Sequence, residues 1–377
     1  MAVDRNQRPQ RRLMTERRGK VDLASHVKMG RSNFRMAGQA MNRYSLAARA
    51  IREGLPPDPG LRDLVRLASL AANSHNTQPW KFRIAEDVVD ILPDFSRRTP
   101  AVDPDDHHLY VSLGCAAENL VVAAHANGRS TETTVRTDET GDAFIRIALG
   151  KGEVADTTLC DAIPKRQSTK SEYDGATLSD AELGQLTEAA TRKGVHFHII
   201  TERIKLDQAL KFIQAGNAAQ MDDPAFVDEL KSWIRFSSKT SIEKADGLSG
   251  PSAGNPSAPD WLGPILFTLS FRKKSETAKL ARQMASSAGL AVFVADDETP
   301  EGWINVGRSF ERFALAATAL GLCHAHMNMP IEAVSIRPEF ARWLGIEGRR
   351  PDLVVRFGRG EPMPMSLRRP VDEVIIA

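Results

Sequence analysis

Hydrophobic positions recur along the chain with two different periods, and together these predict a mixture of helices and strands. In the first half, helical spacing alternates with strand-like stretches that are separated by turn residues such as Glu86-Asp87. The predicted elements are helices at 37–53, 61–72 and 108–127 and strands at 80–85, 88–92, 133–136 and 144–149. Gly128 is placed to stop the longest of these helices.

The second half repeats this order loosely. Its predicted elements are helices at 179–192, 205–220, 225–236 and 306–320 and strands at 195–201, 291–296 and 353–357. Ser179 and Glu182 have the spacing of a capping box at the start of the first helix. Residues 237–263, rich in Ser, Gly and Pro, are predicted to form a long loop, and such loops are usually functional or disordered. The pattern therefore predicts an α+β protein with two halves of similar content.

Composition places the chain among ordinary globular proteins, since 42% of its 377 residues are hydrophobic and 26% are charged. Its apolar runs are shorter than the ~20 residues that a membrane span needs, so no membrane is expected. Three widely spaced cysteines favour a reducing compartment, and we expect a cytoplasmic protein.

The net charge of +2 combines a basic N-terminal arm with a mildly acidic body. Residues 1–36 hold ten Lys/Arg and three Asp/Glu, a charge of +7, which leaves −5 for the remainder. We predict that this arm is disordered and solvated, although such an arm can also contact nucleic acid or an anionic surface. No apolar segment follows its arginine pairs, which argues against a secretion signal. An acidic body makes a nucleic-acid partner unlikely on charge grounds.

Several common catalytic motifs are absent from the sequence. There is no phosphate-binding loop of the G-x-x-x-x-G-K-[ST] type, no G-x-G-x-x-G after a strand and no G-x-S-x-G. The pairs His196/His198 and His324/His326 each place two imidazoles on one face of a strand, which is compatible with metal binding. No supporting cysteine or H-E-x-x-H pattern accompanies them, so we expect packed or hydrogen-bonded histidines and no metal.

The polar segment Asn73–Trp80 (N-S-H-N-T-Q-P-W) is different in kind. It ends a predicted helix and begins a predicted strand. Its short polar side chains suit hydrogen bonding to a planar ligand rich in nitrogen and oxygen. A capping turn with Trp80 as a core anchor explains the same residues equally well, so composition alone leaves both interpretations open.

The segment also resembles the N-x-x-N-T-Q-P-W-K-F motif of the FMN-dependent nitroreductase superfamily, in particular its Acg-like branch of long single chains. Three more segments agree with that family. Residues 166–170 (R-Q-S-T-K) are similar to its R-[RH]-S-x-[RK] element, 329–333 (M-P-I-E-A) to its P-I-E-G turn, and 366–375 to its C-terminal R-x-P-x-x-E-V-I element. The resemblance covers residues 61–377.

The resemblance implies that the four segments hold FMN. The residues expected to do so are Ser74, Asn76, Gln78, Arg166, Gln167, Ser168, Lys170, Pro330, Ile331, Glu332, Ala333 and Arg368. Basic groups would grip the phosphate, to which guanidinium and ammonium groups bind by charge-assisted hydrogen bonds. Backbone N–H groups near Glu332 and Ala333 are expected beside the flavin N5 edge. Because the cofactor carries the hydride chemistry, no catalytic side chain is expected.

The order of these motifs implies a fused pseudo-dimer. In short members of the family the R-x-S element precedes N-x-Q-P-W, and two chains share each flavin. Here the order is reversed, with the second element starting where a new subunit would begin. We therefore predict a basic arm (1–36), a first nitroreductase-like half (37–160) and a second half (161–377), with 237–263 as a lid-like insertion over a single flavin site.

The expected function is that of an FMN-dependent oxidoreductase that uses NAD(P)H to reduce a small acceptor such as a nitro compound or a quinone. The lid motivates an alternative, storage or sequestration of FMN with little turnover, and a scaffold that has lost flavin is a third. Ser366 and Ala333 stand where the family often has Lys and Gly, which suggests a weaker phosphate grip and a restricted N5 turn. We expect a monomer through the internal pseudo-dimer, or a weak homodimer.

Overall fold

The computed structural model describes residues 41–253 and 257–376, and the predicted basic arm lies outside these ranges. Residues 41–50 are helical and are called α1. The other helices are α2 Leu61–Ala68, α3 His107–Ala126, α4 Thr158–Ala162, α5 Asp180–Ala190, α6 Arg203–Asp222, α7 Pro224–Trp233, α8 Ser238–Lys244, α9 Gly263–Ser270, α10 Lys273–Ala285, α11 Pro300–Ala319, α12 Met329–Glu332, α13 Arg337–Trp343 and α14 Val371–Val374. The strands are β1 Trp80–Ala85, β2 Val88–Pro93, β3 Arg129–Thr137, β4 Ala143–Lys151, β5 Val195–Ile200, β6 Ile234–Arg235, β7 Leu248–Ser249, β8 Gly289–Ala295, β9 Cys323–His326, β10 Leu353–Gly358 and β11 Ile375–Ile376.

The strands form one main sheet in each half. The first has the order β11-β1-β2-β4-β3 and is antiparallel except that β11, from the end of the chain, pairs parallel with β1. The second has the order β5-β8-β10-β9 and is fully antiparallel. Every residue of β8 and β10 is buried, as expected for central strands covered on both faces. The predicted α+β fold with two similar halves is therefore confirmed.

The two long helices α3 and α11 cross at the centre of the molecule, and their contact is reciprocal. A Cβ on Gly114, the eighth residue of α3, would lie 2.1 Å from the carbonyl oxygen of Ile304, the fifth residue of α11. A Cβ on Gly307, the eighth residue of α11, would lie 2.0 Å from the carbonyl oxygen of Val111, the fifth of α3. A contact that repeats with exchanged partners is the mark of a two-fold interface, here within one chain.

The α3 helix is long and apolar enough to cross a membrane by length and composition. In this fold it is a core helix, since 94% of its apolar window is buried. Its burial on all sides explains why its sequence is apolar all round.

Most predicted elements are confirmed, with shifted ends. The Ser179–Glu182 capping box is present, and Gly128 and Gly321 adopt positive φ just after the long helices. Helices α9 and α10 were not predicted from the sequence, and a further difference concerns residues 237–263, predicted as one loop. This segment contains α8 and β7, and β7 pairs with β6. The short β7 strand and the Ser-rich α8 helix carry too few apolar residues for periodicity to reveal them.

Candidate functional site

A cavity of about 400 Å³ is lined by residues of both halves, including Val111 and Cys115 of α3 and Phe310 of α11. That volume is within the range of small-molecule and cofactor sites. Of the twelve residues that the sequence predicted, eight line it: Ser74, Asn76, Arg166, Gln167, Ser168, Lys170, Glu332 and Arg368. The other four (Gln78, Pro330, Ile331 and Ala333) lie outside its lining. The cavity thus brings together parts of all four motif segments, although its ligand contacts stay predictions.

The polar turn, residues 73–80, contributes to the cavity lining and has an unusual backbone conformation. His75, Asn76 and Gln78 have φ values of 47°, 55° and 54°. This left-handed conformation is uncommon for residues other than glycine and is often found at ligand sites. The Asn73 side chain stabilises it, because its Oδ1 accepts the Gln78 N–H at 2.9 Å.

The amides of this turn are bound to protein groups in this structure. Asn76 Nδ2 donates to the Gly247 and Leu367 carbonyls at 3.0 and 3.1 Å, and the Gly247 N–H donates to the Asn76 carbonyl at 3.0 Å. Gln78 Nε2 donates to the Ala245 carbonyl at 2.9 Å, and its Oε1 accepts the Arg369 N–H at 2.8 Å. Gln78 therefore fixes the surrounding segments instead of facing the cavity.

Ala245 and Gly247, in the predicted lid, are hydrogen-bonded to this turn. Asp246 is buried between two guanidinium groups, those of Arg97 and Arg235, and its Oδ1 accepts from Arg235 Nε at 2.8 Å. Both arginines stack on the Trp233 ring, with their guanidinium carbons 5.5 and 5.6 Å from its centroid. Gly247, Leu248 and Ser252 then line the cavity, so the segment lies over it as expected of a lid.

One side of the cavity carries an excess of buried positive charge. The Arg166 Nε lies 2.9 Å from Glu311 Oε1, and both side chains are buried. Arg368 is buried nearby and donates to backbone carbonyls and to Asn76 Oδ1, none of which is an anion. Burial and repulsion from Arg52 and Arg166 lower the pKa of Arg368 well below its usual value. Within the described residues, the guanidinium groups of Arg166 and Arg368 thus share one nearby carboxylate, that of Glu311.

Arg52 was missed by the sequence reasoning. It follows α1, and its guanidinium donates to the Ala48 and Ser366 carbonyls at 2.9 and 2.8 Å. Burial, and then the charge of Arg166, lower its pKa to about 10. Glu311 was also missed, although a lone acid within the apolar 306–320 pattern was a usable signal. Burial raises the pKa of Glu311 despite the neighbouring Arg166.

Lys170 lines the cavity without an anionic partner among residues 41–253 and 257–376. Burial and the nearby Lys279 lower the pKa of its ammonium to about 8. The Ser168 hydroxyl likewise forms no hydrogen bond within the described part of the chain. Gln167, by contrast, is used structurally, since its side chain exchanges two hydrogen bonds with the Met363 backbone at 3.0 and 2.7 Å.

The predicted N5 turn is the short helix α12. Its N–H groups are occupied within the turn, because Glu332 N donates to Asn328 O at 2.9 Å and Ala333 N to Met329 O at 3.0 Å. The expected position of these N–H groups beside a flavin N5 edge stays a prediction. Ala333 has φ −77°, so the glycine usual in the family is not needed for this conformation. The Glu332 side chain does reach the cavity.

The histidine pairs are packed or hydrogen-bonded. His196 Nε2 lies 2.5 Å from Asp296, while His324 and His326 both pack against Phe310. Burial lowers the pKa of His324 and His326, so both are neutral at pH 7.

Within the described residues, one group has metal-compatible spacing: Asp103, His107 and His108. Asp103 already caps α3 by accepting the His108 and Leu109 N–H groups, each at 3.0 Å. His107 is hydrogen-bonded to Asp352 at 2.8 Å. Both ring nitrogens of His108 and Nδ1 of His107 form no hydrogen bond among the described residues.

Comparison with known proteins agrees with the motifs. No protein-family model matches the chain. The chain is 24% identical over 340 residues to the putative NAD(P)H nitroreductase Rv3131 of Mycobacterium tuberculosis, which covers 86% of this chain and 94% of that protein. It is 23% identical over 325 residues to the putative NAD(P)H nitroreductase acg of the same organism, over 83% and 94% of the two chains. The resemblance to Acg-like members of the nitroreductase superfamily is confirmed.

Solved structures give a weaker similarity. A nitroreductase with bound FMN from Desulfitobacterium hafniense is 16% identical, with a TM-score of 0.38 over 59% of this chain and 100% of that one. The nitroreductase NfnB from Mycobacterium smegmatis in complex with NADPH is 12% identical, with a TM-score of 0.37 over 54% and 88%. Each of these shorter chains spans a little over half of the present one.

Proposed function

We propose that the chain is an FMN-dependent oxidoreductase that takes electrons from NAD(P)H and passes them to a small acceptor such as a nitro compound or a quinone. The observation that carries this proposal is the uncompensated positive charge beside the cavity. Arg166, Arg368 and Lys170 supply three cationic groups to the lining, Arg52 lies near enough to Arg166 for the two charges to repel, and Glu311 is the one carboxylate paired with them among the described residues. Burying like charges together is unfavourable unless an anion compensates them.

The FMN phosphate fits this requirement. It carries close to two negative charges and accepts several charge-assisted hydrogen bonds. We propose that the Lys170 ammonium and the Ser168 hydroxyl hold the phosphate, while Arg166 and Arg368 provide the surrounding positive potential. Of the turn residues in the lining, Ser74 remains for the rest of the ligand, because the Asn76 amide is already bonded to Gly247, Leu367 and Arg368. When bound, FMN supplies the hydride chemistry, and the protein positions it and excludes water.

We propose the division predicted from the sequence, with a first half at 37–160, a second half at 161–377 and one flavin site between them. The reciprocal Gly114 and Gly307 contacts support this division, because they match a dimer interface brought inside one chain. A monomer is then the expected oligomeric state, and a cytoplasmic location fits the three free cysteines.

One observation favours the second candidate, FMN storage with little turnover. The lid is fastened at Gly247 and Ala245 to the amides of the polar turn, and Asp246 is held by two guanidinium groups. A lid closed in this way excludes large acceptors until these contacts open.

A visible absorption spectrum of the purified protein tests the proposal. The oxidoreductase is expected to be yellow, to bleach when NADPH is added without oxygen, and to recover its colour when a quinone is then supplied. Retained colour without bleaching supports storage instead. A colourless protein that takes up no added FMN overturns both.

A further inference from the structure

The cavity is also lined by a carboxyl group, that of Glu332, which forms no salt bridge with Arg166, Lys170 or Arg368. Glu332 ends α12 and lines the cavity with His108, His326 and Asn217. Gln220, on the neighbouring helix α6, donates from Nε2 to Glu332 Oε2 at 2.6 Å. This hydrogen bond fixes the carboxyl group and leaves its other oxygen without a hydrogen-bond partner among the described residues.

No cation forms a salt bridge with this carboxyl group among residues 41–253 and 257–376, although the charge of Arg337 acts to lower its pKa. The nearest charged group on the packed helix α13 is Arg337, whose Nε donates instead to the Ile331 carbonyl at 2.6 Å. The residues that face Glu332 from α6, Asn217 and Gln220, are neutral amides. Burial, with a further contribution from the acidic Asp103, raises the pKa of Glu332 to about 7.

The remaining titratable groups near this part of the cavity are poor proton donors at neutral pH. His108 is buried and His326 is half-buried, and desolvation lowers the pKa of each below the usual imidazole value, so both rings are neutral. Asp103 is occupied by the two N–H groups that it caps, and it is not part of the cavity lining. Glu332 is therefore the acidic group placed to meet a ligand.

We propose that Glu332 donates a proton to the electron acceptor as the acceptor is reduced in this cavity. The proposal rests on the oxidoreductase function proposed above. For a quinone Q the overall change is NAD(P)H + H⁺ + Q → NAD(P)⁺ + QH₂. The hydride comes from NAD(P)H by way of the cofactor and forms one new bond to the quinone. The proton comes from the Glu332 carboxyl O–H, which breaks as the second quinone oxygen is protonated, and solvent then restores the acid.

The structure gives this role a defined dependence on pH. The acid form is the donor, so reduction of the acceptor is expected to be fastest below the pKa of Glu332 and to fall as pH rises through it. General acids of this kind typically contribute about 10²- to 10⁴-fold to the rate. Glu332→Gln keeps an oxygen that can accept from Gln220 but cannot supply the proton.

The test compares the wild type, Glu332→Gln and a matched control, Glu339→Gln, in which the exposed carboxyl of the adjacent helix is changed. FMN uptake and the rate of bleaching by NADPH are measured first. Reoxidation by 1,4-benzoquinone is then followed by stopped flow from pH 5.5 to 8.5. We expect Glu332→Gln to slow reoxidation at least tenfold, by more than it changes FMN uptake or bleaching, and to abolish the pH dependence of reoxidation. The control should behave as the wild type.

An infrared titration of the FMN-free protein gives a second readout that does not depend on activity. Burial also raises the pKa values of Asp103 and Asp352 to about 7. The readout is therefore the difference between wild type and Glu332→Gln, which should show a protonated carboxyl band that disappears near pH 7. Unchanged reoxidation in Glu332→Gln, or a band that disappears near pH 4.5, overturns this proposal while leaving the oxidoreductase function intact. A protein that takes up no FMN overturns the oxidoreductase function and this proposal with it.

Discussion

Replacing Lys170 with methionine removes a positive charge from the cavity while leaving no carboxylate unpaired, because its ammonium group has no anionic partner in the described structure. The loss in the free energy of FMN binding should then equal the contribution of the contact between the Lys170 ammonium and the phosphate. A hydrogen bond to a charged group is worth about 1.5–3 kcal/mol. Since 1.4 kcal/mol is a factor of ten, the dissociation constant for FMN should rise roughly 10- to 150-fold.

The pH dependence of the same affinity provides an independent check. The pKa of Lys170 is lowered to about 8, and phosphate binding requires its charged form. Wild-type affinity for FMN should therefore be constant below pH 7.5 and fall between pH 8 and 9. The Lys170→Met variant should lack this decline.

Fluorescence quenching during titration of flavin into the FMN-free protein measures both effects. Riboflavin, which has no phosphate, is the matched ligand, and its affinity should be the same in Lys170→Met and wild type. Lys193→Met, which removes an exposed ammonium group outside the cavity lining, is the matched protein control. Equal losses for FMN and riboflavin, or no loss for either, would refute the assignment of Lys170 to the phosphate.

Three further changes test other parts of the structure. Arg166→Met should lower the free energy of unfolding in urea by about 3–5 kcal/mol, because Glu311 is left buried and unpaired, and adding Glu311→Gln should restore part of the loss. Asp246→Asn should loosen the lid, seen as faster tryptic cleavage of the folded protein and faster FMN uptake; unchanged cleavage would mean that its ion pairs do not hold the lid. Gly307→Ala should destabilise the protein by at least about 1–3 kcal/mol, since the new Cβ would lie 2.0 Å from a carbonyl oxygen of α3, whereas Gly184→Ala, with open space around it, should not.

Local sequence features predicted those parts of the fold that local interactions stabilise. The hairpin at 80–93 has strict alternation around a two-residue turn, and the Ser179–Glu182 box begins its helix as expected. Residues 375–376 were not predicted as a strand, because they pair with β1 almost 300 residues earlier in the chain and have no local partner. The lid helix was missed for a related reason: its polar sequence is held by contacts from Asp246 and Gly247 to distant segments.

The candidate site also has some features that short sequence segments predict and others that depend on distant contacts. Motif residues such as Arg166, Lys170 and Glu332 could be named from short segments, and the structure places all three at one cavity. The protonation states of these residues could not be predicted from the sequence, because the pKa of each depends on which groups are buried beside it. Arg52 and Glu311 belong to no motif, yet they set the charge balance around Arg166.

The sequence by itself determined the α+β elements, the two similar halves and the family resemblance, because these depend on periodicity and on short runs of residues. Only the tertiary structure decided that Gln78 and Gln167 hold the protein together, and that neither Lys170 nor Glu332 forms a salt bridge within the described residues. The physical reason is that hydrogen-bond partners and electrostatic environment are supplied across the contact between the halves, by residues that lie far apart in the chain.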